Sequence, residues 1–244
     1  MFDTIILLAG EVEAQPVSGL LRQHNPQVSI LTPQSRDELE AIAPETLRRS
    51  RLIGFLTPIV VAEPVLDALG YGAYNFHPGP PEYPGWLPAL FAVYDRATAF
   101  GATAHHMAPQ VDSGPIIGVE RFALPADATV ESVEKQAFIE SVRLMWRFGP
   151  TLARQPGPLT TLPIAWSGRR STRAMLRGYC DIPAGIGLDE LERRVAAFGH
   201  APLGDAPTIT LHGHTFRYVP PASEAPAPAV PAPPLRSKPA KQVA

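Results

Sequence analysis

The chain of 244 residues holds a single cysteine, Cys180. One thiol excludes an internal disulfide framework and fits a reducing cytoplasm, and a lone cysteine reads as a small buried hydrophobe. Neither sign of charge is in excess: 21 Lys+Arg against 23 Asp+Glu leave a formal net charge of −2. That balance excludes a global electrostatic footprint for nucleic acid or for an anionic membrane surface. The apolar stretch LIGFLTPIVVA (52–62) is too short to span a bilayer and is interrupted by Pro58. The opening MFDTIILLAG carries Asp3 and no basic lead, so it reads as a first buried strand, not a targeting segment. Gly-x-Ser-x-Gly is absent, so no nucleophile elbow is available. With 45% hydrophobic residues, the chain can bury a sizeable core in one medium domain plus something smaller.

What is present is a regular alternation. TIILLAG (4–10), QVSILTP (27–33), RLIGFL (51–56) and YGAYNFH (71–77) have the composition of strands. Between them, residues 13–24, 35–50 and 62–69 read as helices, the second opened by Ser35 and Glu38 at capping-box spacing. This order predicts an α/β fold: a Rossmann-like, mainly parallel sheet with helices on both faces, and chemistry in the loops at the strand C-termini. Further on, 86–97 reads as a helix, 101–109 and 114–124 as strands, and 129–153 as the most strongly amphipathic helix. RQPGPL (154–159) reads as a linker. The expected organisation is a catalytic domain over 1–155 and a small C-terminal α+β unit over 156–219. That unit holds a helix at 188–199 and a hairpin turning at His212-Gly213. A Pro/Ala-rich stretch over 220–244 reads as a disordered tail, unable to bury enough apolar surface to offset its ordering entropy.

Chemistry concentrates in YNFHPGPPEYPGW (74–86). Asn75 and His77 lie two apart on a predicted strand, so both side chains share one face at its C-terminal end. Pro78, Pro80, Pro81 and Pro84 stiffen the loop that leaves this strand. A stiff turn beside a satisfied histidine would look the same in isolation. GATAHHMAPQVDSGPII (101–117) adds Asp112, by itself an ordinary turn aspartate, and His105 and His106, by themselves one buried and one exposed strand residue. A carboxylate in reach of His77 would hold the imidazole and favour its protonated form. Asn, His and Asp together suit acyl transfer: an amide donor for the oxyanion, a proton shuttle, and a group that orients the shuttle. Without an elbow nucleophile, direct attack by an amine or by water is the natural route. A metal site built from His77, His105 and Asp112 matches no standard zinc spacing, and no metal is assigned.

The stretch NFHPGPPEYPGWLPALFAVYDRATAFGATAHHMAPQVDSGPII (75–117) resembles the folate-dependent formyltransferase family. That family includes methionyl-tRNA formyltransferase, glycinamide ribonucleotide transformylase, sugar N-formyltransferases and formyltetrahydrofolate deformylase. The shared pattern is Asn-x-His-Pro, a proline-containing loop ending near Gly, a helix, Gly-x-Thr-x-His, then Asp-x-Gly ahead of an apolar strand. Residues 50–150 carry the likeness; the first 50 match only as a shortened βαβ unit. The resemblance implies Asn75, His77 and Asp112 as the catalytic trio, His105 lining the site, and Tyr83 on the substrate side. It implies 10-formyltetrahydrofolate as co-substrate and tetrahydrofolate as product, with the pterin held, mostly by backbone groups, near Val60, Val61, Gln110 and Val111. The implied reaction is formyl transfer to the primary amine of a metabolite, an amino-sugar nucleotide or similar; the implied alternative is hydrolysis, as in the deformylases. One departure stands out. The family's loop often reads Ser-Leu-Leu-Pro-x-Tyr-Arg-Gly, whereas GPPEYPG here has Pro84 in place of the arginine, which alters the acceptor side.

Arg169, Arg170, Arg173 and Arg177 in PIAWSGRRSTRAMLRGY (163–179) read either as a solvated face or as a phosphate contact, since guanidinium forks match phosphate oxygens. The stretch over 188–219 resembles a reduced C-terminal region of methionyl-tRNA formyltransferases. Its small size and the chain's slightly acidic balance disfavour tRNA as a partner. A small-molecule amine acceptor is the expected partner, with no membrane involved and the oligomeric state left open.

Overall fold

The computed structural model describes residues 2–201 and 205–220. The tail expected from 220 onward therefore lies, after its first residue, outside the described residues. Six strands form the main sheet: β1 (Thr4–Leu8), β2 (Ser29–Leu31), β3 (Ser50–Phe55), β4 (Ala73–His77), β5 (Ala99–His106) and β6 (Ile116–Ala123). Their order is β2-β1-β3-β4-β5-β6. β1 pairs in parallel with β2 and β3, and β3 with β4; β5 runs antiparallel to both β4 and β6. The connection from β5 to β6 is too short for a crossover, which enforces that reversal. The sheet is thus mainly parallel, as the alternation predicts.

Alternate residues of β1 serve opposite faces, which is why the strand is apolar throughout. Ile5 and Leu7 join Leu20 and Leu21 of α1 (Glu11–His24) and Leu144 and Leu152 of α6 (Val130–Arg154). Ile6 and Leu8 join Leu39, Leu47 and Val65, from α2 (Arg36–Glu40), α3 (Pro44–Leu47) and α4 (Glu63–Ala68). The single helix expected over 35–50 is in fact these two short ones, α2 and α3. Pro44 has no N–H to donate and biases Ala43 out of helical geometry; Ala43 sits at φ −58°, ψ 140°. The Ser35 cap is present, its Oγ accepting from the Glu38 N–H at 3.1 Å.

Beyond α6 the chain does not run free. Arg51, fully buried at the start of β3, donates to the carbonyls of Leu152, Gln155, Pro156 and Gly157 and of Tyr71. It caps the α6 C-terminus and fastens the segment read as a linker. The remaining elements are α5 (Pro88–Tyr94), α7 (Arg173–Cys180), β7 (Asp181–Ile182), α8 (Leu188–Phe198), β8 (Thr208–Leu211) and β9 (His214–Arg217). The β8–β9 turn falls at His212 (φ 50°) and Gly213 (φ 84°), both left-handed as a two-residue hairpin of the mirror-image type needs. Leu176, Phe198 and the buried Cys180 pack on Leu90 and Phe91 of α5. No helix among the described residues is long and apolar enough to cross a membrane.

Candidate active site

β4 delivers Asn75 and His77 on the face opposite Tyr74 and Phe76, which point into the α1/α6 layer. In the antiparallel pairing with β5, Asn75 lies across from His105 and His77 from Thr103. The cross-strand neighbours touch: Asn75 Nδ2 is 3.3 Å from His105 Nε2. Asp112 comes from the β5–β6 turn, where its backbone is left-handed at φ 47°, an uncommon conformation for a non-glycine residue. That twist brings its carboxylate between the two rings. Oδ2 is 3.4 Å from His77 Nδ1, and Oδ1 is 3.3 Å from His105 Nε2. The Gly85 N–H donates to Oδ2 at 2.8 Å. The structure thus brings Asn75, His77, His105 and Asp112 together, with both rings and the carboxylate buried.

His77 stands between two acceptors. Nδ1 faces Asp112, and Nε2 is 3.0 Å from the Tyr83 carbonyl oxygen. Only the imidazolium can donate to both. Burial opposes the charged ring and outweighs the pull of Asp112 and of the Tyr83 carbonyl, so His77 lies below the usual histidine range. Burial alone would raise the Asp112 carboxyl, but His77, His105 and the Gly85 N–H together bring it down to about 2. The carboxylate is ionised through the neutral range, and the ring beside it is set to accept a proton when negative charge develops nearby. His105 Nδ1 donates to the His106 carbonyl at 2.7 Å, which leaves Nε2 turned toward Asn75 and Asp112.

These groups open into a cleft of about 680 Å³, within the range of small-molecule sites. Val60, Val61 and Val111 line it. Val60 and Val111 are 54% and 40% exposed, apolar surface that a bound molecule would cover. Gln110 stands off the wall and bonds Arg170. The Tyr83 side chain is not a wall residue. Its ring packs on Phe100 at 5.8 Å between centroids, drawn into the apolar cluster beneath α5, and only its carbonyl meets His77. Burial and the neighbouring Asp95 push its phenol up to about 12. Leu56 and Leu87 share the left-handed backbone of Asp112, and all three line the cleft. Strain of this kind, about 1–3 kcal/mol per residue, gathers at functional sites.

Residues 160–171 return over the proline loop as a strap. The N–H groups of Ser167 and Ser171 donate to the carbonyls of Pro81 and Pro84, each at 2.9 Å, and Trp86 N–H donates to Ser171 at 3.1 Å. Gly85, at φ 102°, sits where a Cβ would run into the Ser171 carbonyl and Arg170 Cγ. From the strap, Trp166 sets its ring edge-on to His105 and His77, at 4.9 and 5.9 Å, and donates from Nε1 to Gly114 O at 2.8 Å. Sequence reasoning misses Trp166, the Gly85 N–H and the Tyr83 carbonyl. The backbone groups leave no mark in sequence, and the one signal for Trp166 is a lone large aromatic in a stretch without helical or strand period.

No family model and no curated protein sequence matches the chain. Solved structures do. A sugar N-formyltransferase from Shewanella sp. superposes with a TM-score of 0.73 at 14% identity, over 90% of this chain and 97% of that one. An N-formyltransferase from Helicobacter canadensis, in complex with folinic acid and dTDP-3-aminofucose, gives 0.61 at 13% identity, over 87% and 85%. Methionyl-tRNA formyltransferase from Clostridium thermocellum gives 0.61 at 12% identity, over 90% and 92%. Across most of its length, then, this chain has the fold of the formyltransferases.

Proposed function

We propose that the protein transfers the formyl group of 10-formyltetrahydrofolate to the primary amine of a small metabolite of the amino-sugar nucleotide class. The observation that carries this reading is the meeting of Asn75, His77 and Asp112 at one end of an apolar-walled cleft. The co-substrate suits that cleft: a flat pterin can lie against Val60, Val61 and Val111, with the polar groups left for the reacting carbonyl. The fold neighbour solved with folinic acid and dTDP-3-aminofucose supports this pairing of donor and acceptor.

The steps derive from the groups present. The amine nitrogen bonds to the formyl carbon as the carbonyl oxygen takes up negative charge. Asn75 donates to that oxygen, and His77, taking up the proton that the amine sheds and later passing it on, stabilises it as the imidazolium. Asp112 orients His77 and balances the imidazolium. When the bond from the formyl carbon to N10 breaks, the carbonyl re-forms, and the proton shed by the amine ends on N10. No covalent enzyme intermediate is needed.

The test is to incubate the protein with 10-formyltetrahydrofolate, with and without an amino-sugar nucleotide, while monitoring tetrahydrofolate. Turnover that requires the amine is the expected result. Formate release without an acceptor would make the protein a hydrolase, and absence of folate binding by calorimetry would remove both readings.

A further inference from the structure

We infer that Arg170 forms an oxyanion-binding site in the cleft, and that it takes a phosphate group of the acceptor. The strap is exposed from 160 to 170 except at Trp166 and Arg170, the two side chains it turns inward. Trp166 goes to the histidine pair, and Arg170 goes to the cleft wall, beside Gly85 and Ser171. The neighbouring arginines have acidic partners: Arg169 pairs with Asp95, and Arg173 and Arg177 with Asp205. Arg170 has no carboxylate partner among the described residues. Its contact is neutral instead. Gln110, with its amide oxygen facing the guanidinium, accepts from Nη1 at 3.0 Å and Nη2 at 2.9 Å.

That contact uses the end of the guanidinium fork and leaves its side. Nε is shut off from solvent and has no hydrogen-bond partner among the described residues. Buried donors are rarely left so, and an unpaired one invites a ligand. The edge that this contact leaves unpaired, Nε with the adjacent Nη, has two parallel donors on a full positive charge, the pattern that matches two oxygens of a phosphate or carboxylate. The acceptor is favoured over the donor as the source of that anion because of where Arg170 comes from. It hangs from the strap bonded along the proline loop, whereas two of the four residues given to the pterin, Val60 and Val61, lie in the loop after β3, and one of the other two, Gln110, touches Arg170. This assignment rests on the acyl-transfer reading only for which substrate carries the anion.

The test is calorimetric titration of the full chain with inorganic pyrophosphate. Wild type should bind at millimolar concentrations or below, R170Q at least tenfold more weakly, and R170K, a point charge without the fork, in between. Melting temperatures within a few degrees of wild type would establish that the variants are folded. Equal affinity in wild type and both variants, or no binding by wild type, overturns the inference. A parallel titration with p-aminobenzoylglutamate, which carries the donor's carboxylates, separates the two sources. Its loss in R170Q with pyrophosphate binding intact would assign Arg170 to the donor and overturn the acceptor assignment. Binding of 5-formyltetrahydrofolate should persist in R170Q. Its absence in wild type would count against the formyl-donor reading while leaving the pyrophosphate result readable.

Discussion

One carboxylate set between two imidazoles makes the site sensitive to single atoms. Asp112→Asn keeps the shape but replaces the charge that holds His77, and one of its two positions facing the rings becomes a donor. His77→Ala removes the proposed proton carrier. Each should lower kcat by roughly 10²–10⁴, the usual worth of a positioned acid–base group, while Asn75→Ala should cost roughly 10²–10³, as for one oxyanion donor. Single-turnover formyl transfer would measure this, and wild-type rates in any of the three would refute that residue's role. The same groups set a pH dependence of stability. His77 is lowered in the folded state, so below about 6.5, the ordinary histidine value, the unfolded chain binds more protons and stability falls with pH. His106, lowered by its own burial, adds to this limb. Asp112, held at about 2, contributes stability above the ordinary carboxyl range that is lost as pH falls from about 4 toward 2. Thermal melts from pH 8 to 5 should therefore show a falling midpoint, with a shallower slope in His77→Gln. Equal slopes in the two proteins would mean that the ring is not held neutral by burial.

The secondary structure divides into what periodicity can declare and what it cannot. β1 is an apolar run and β3 a largely apolar one, both buried on both faces, and α6 is an amphipathic helix with a Thr129 cap, so local composition carries them. The trio is readable because Asn75 and His77 share a strand face by simple alternation, and because Asp112 comes next in a marked turn. The strap is not readable, since its path is set by hydrogen bonds to residues some 85 positions away and its own sequence has no period. Arg51 shows the same limit. In sequence it is the first residue of a strand; in the fold it replaces water for the carbonyls that α6 leaves unpaired at its end. Arg51→Met keeps much of the volume and strands those carbonyls. With about 1–3 kcal/mol for each buried group left unsatisfied, the expected loss is about 3 kcal/mol or more, read from urea unfolding midpoints. A loss below about 1 kcal/mol would show that water reaches the carbonyls and that Arg51 does not fasten the segment.

The molecule as a whole ties its small C-terminal elements to the site at two places. The strap hydrogen-bonds along the proline loop, and α7 and α8 bury their apolar faces on α5, the helix next after that loop. Phe198 is the hub of the second contact. It is fully buried, stacks on Tyr179 at 5.3 Å and meets Phe91 edge-on at 5.6 Å. A core shared in this way should make residues before and after α6 unfold together, although the sequence suggests a division near 155. Phe198→Ala would open a cavity under α5 at a cost of about 3–5 kcal/mol. Because α5 belongs to both parts, the cost should lower one common transition. Trp86 and Trp166 report the site by fluorescence, and far-ultraviolet circular dichroism reports the sheet and helices. In wild type and in Phe198→Ala the two signals should melt together, at a lower midpoint in the variant. Separate transitions, with fluorescence lost first and circular dichroism largely retained, would show that the C-terminal elements dock on an independently stable domain. The site would then depend on that docking rather than on global folding.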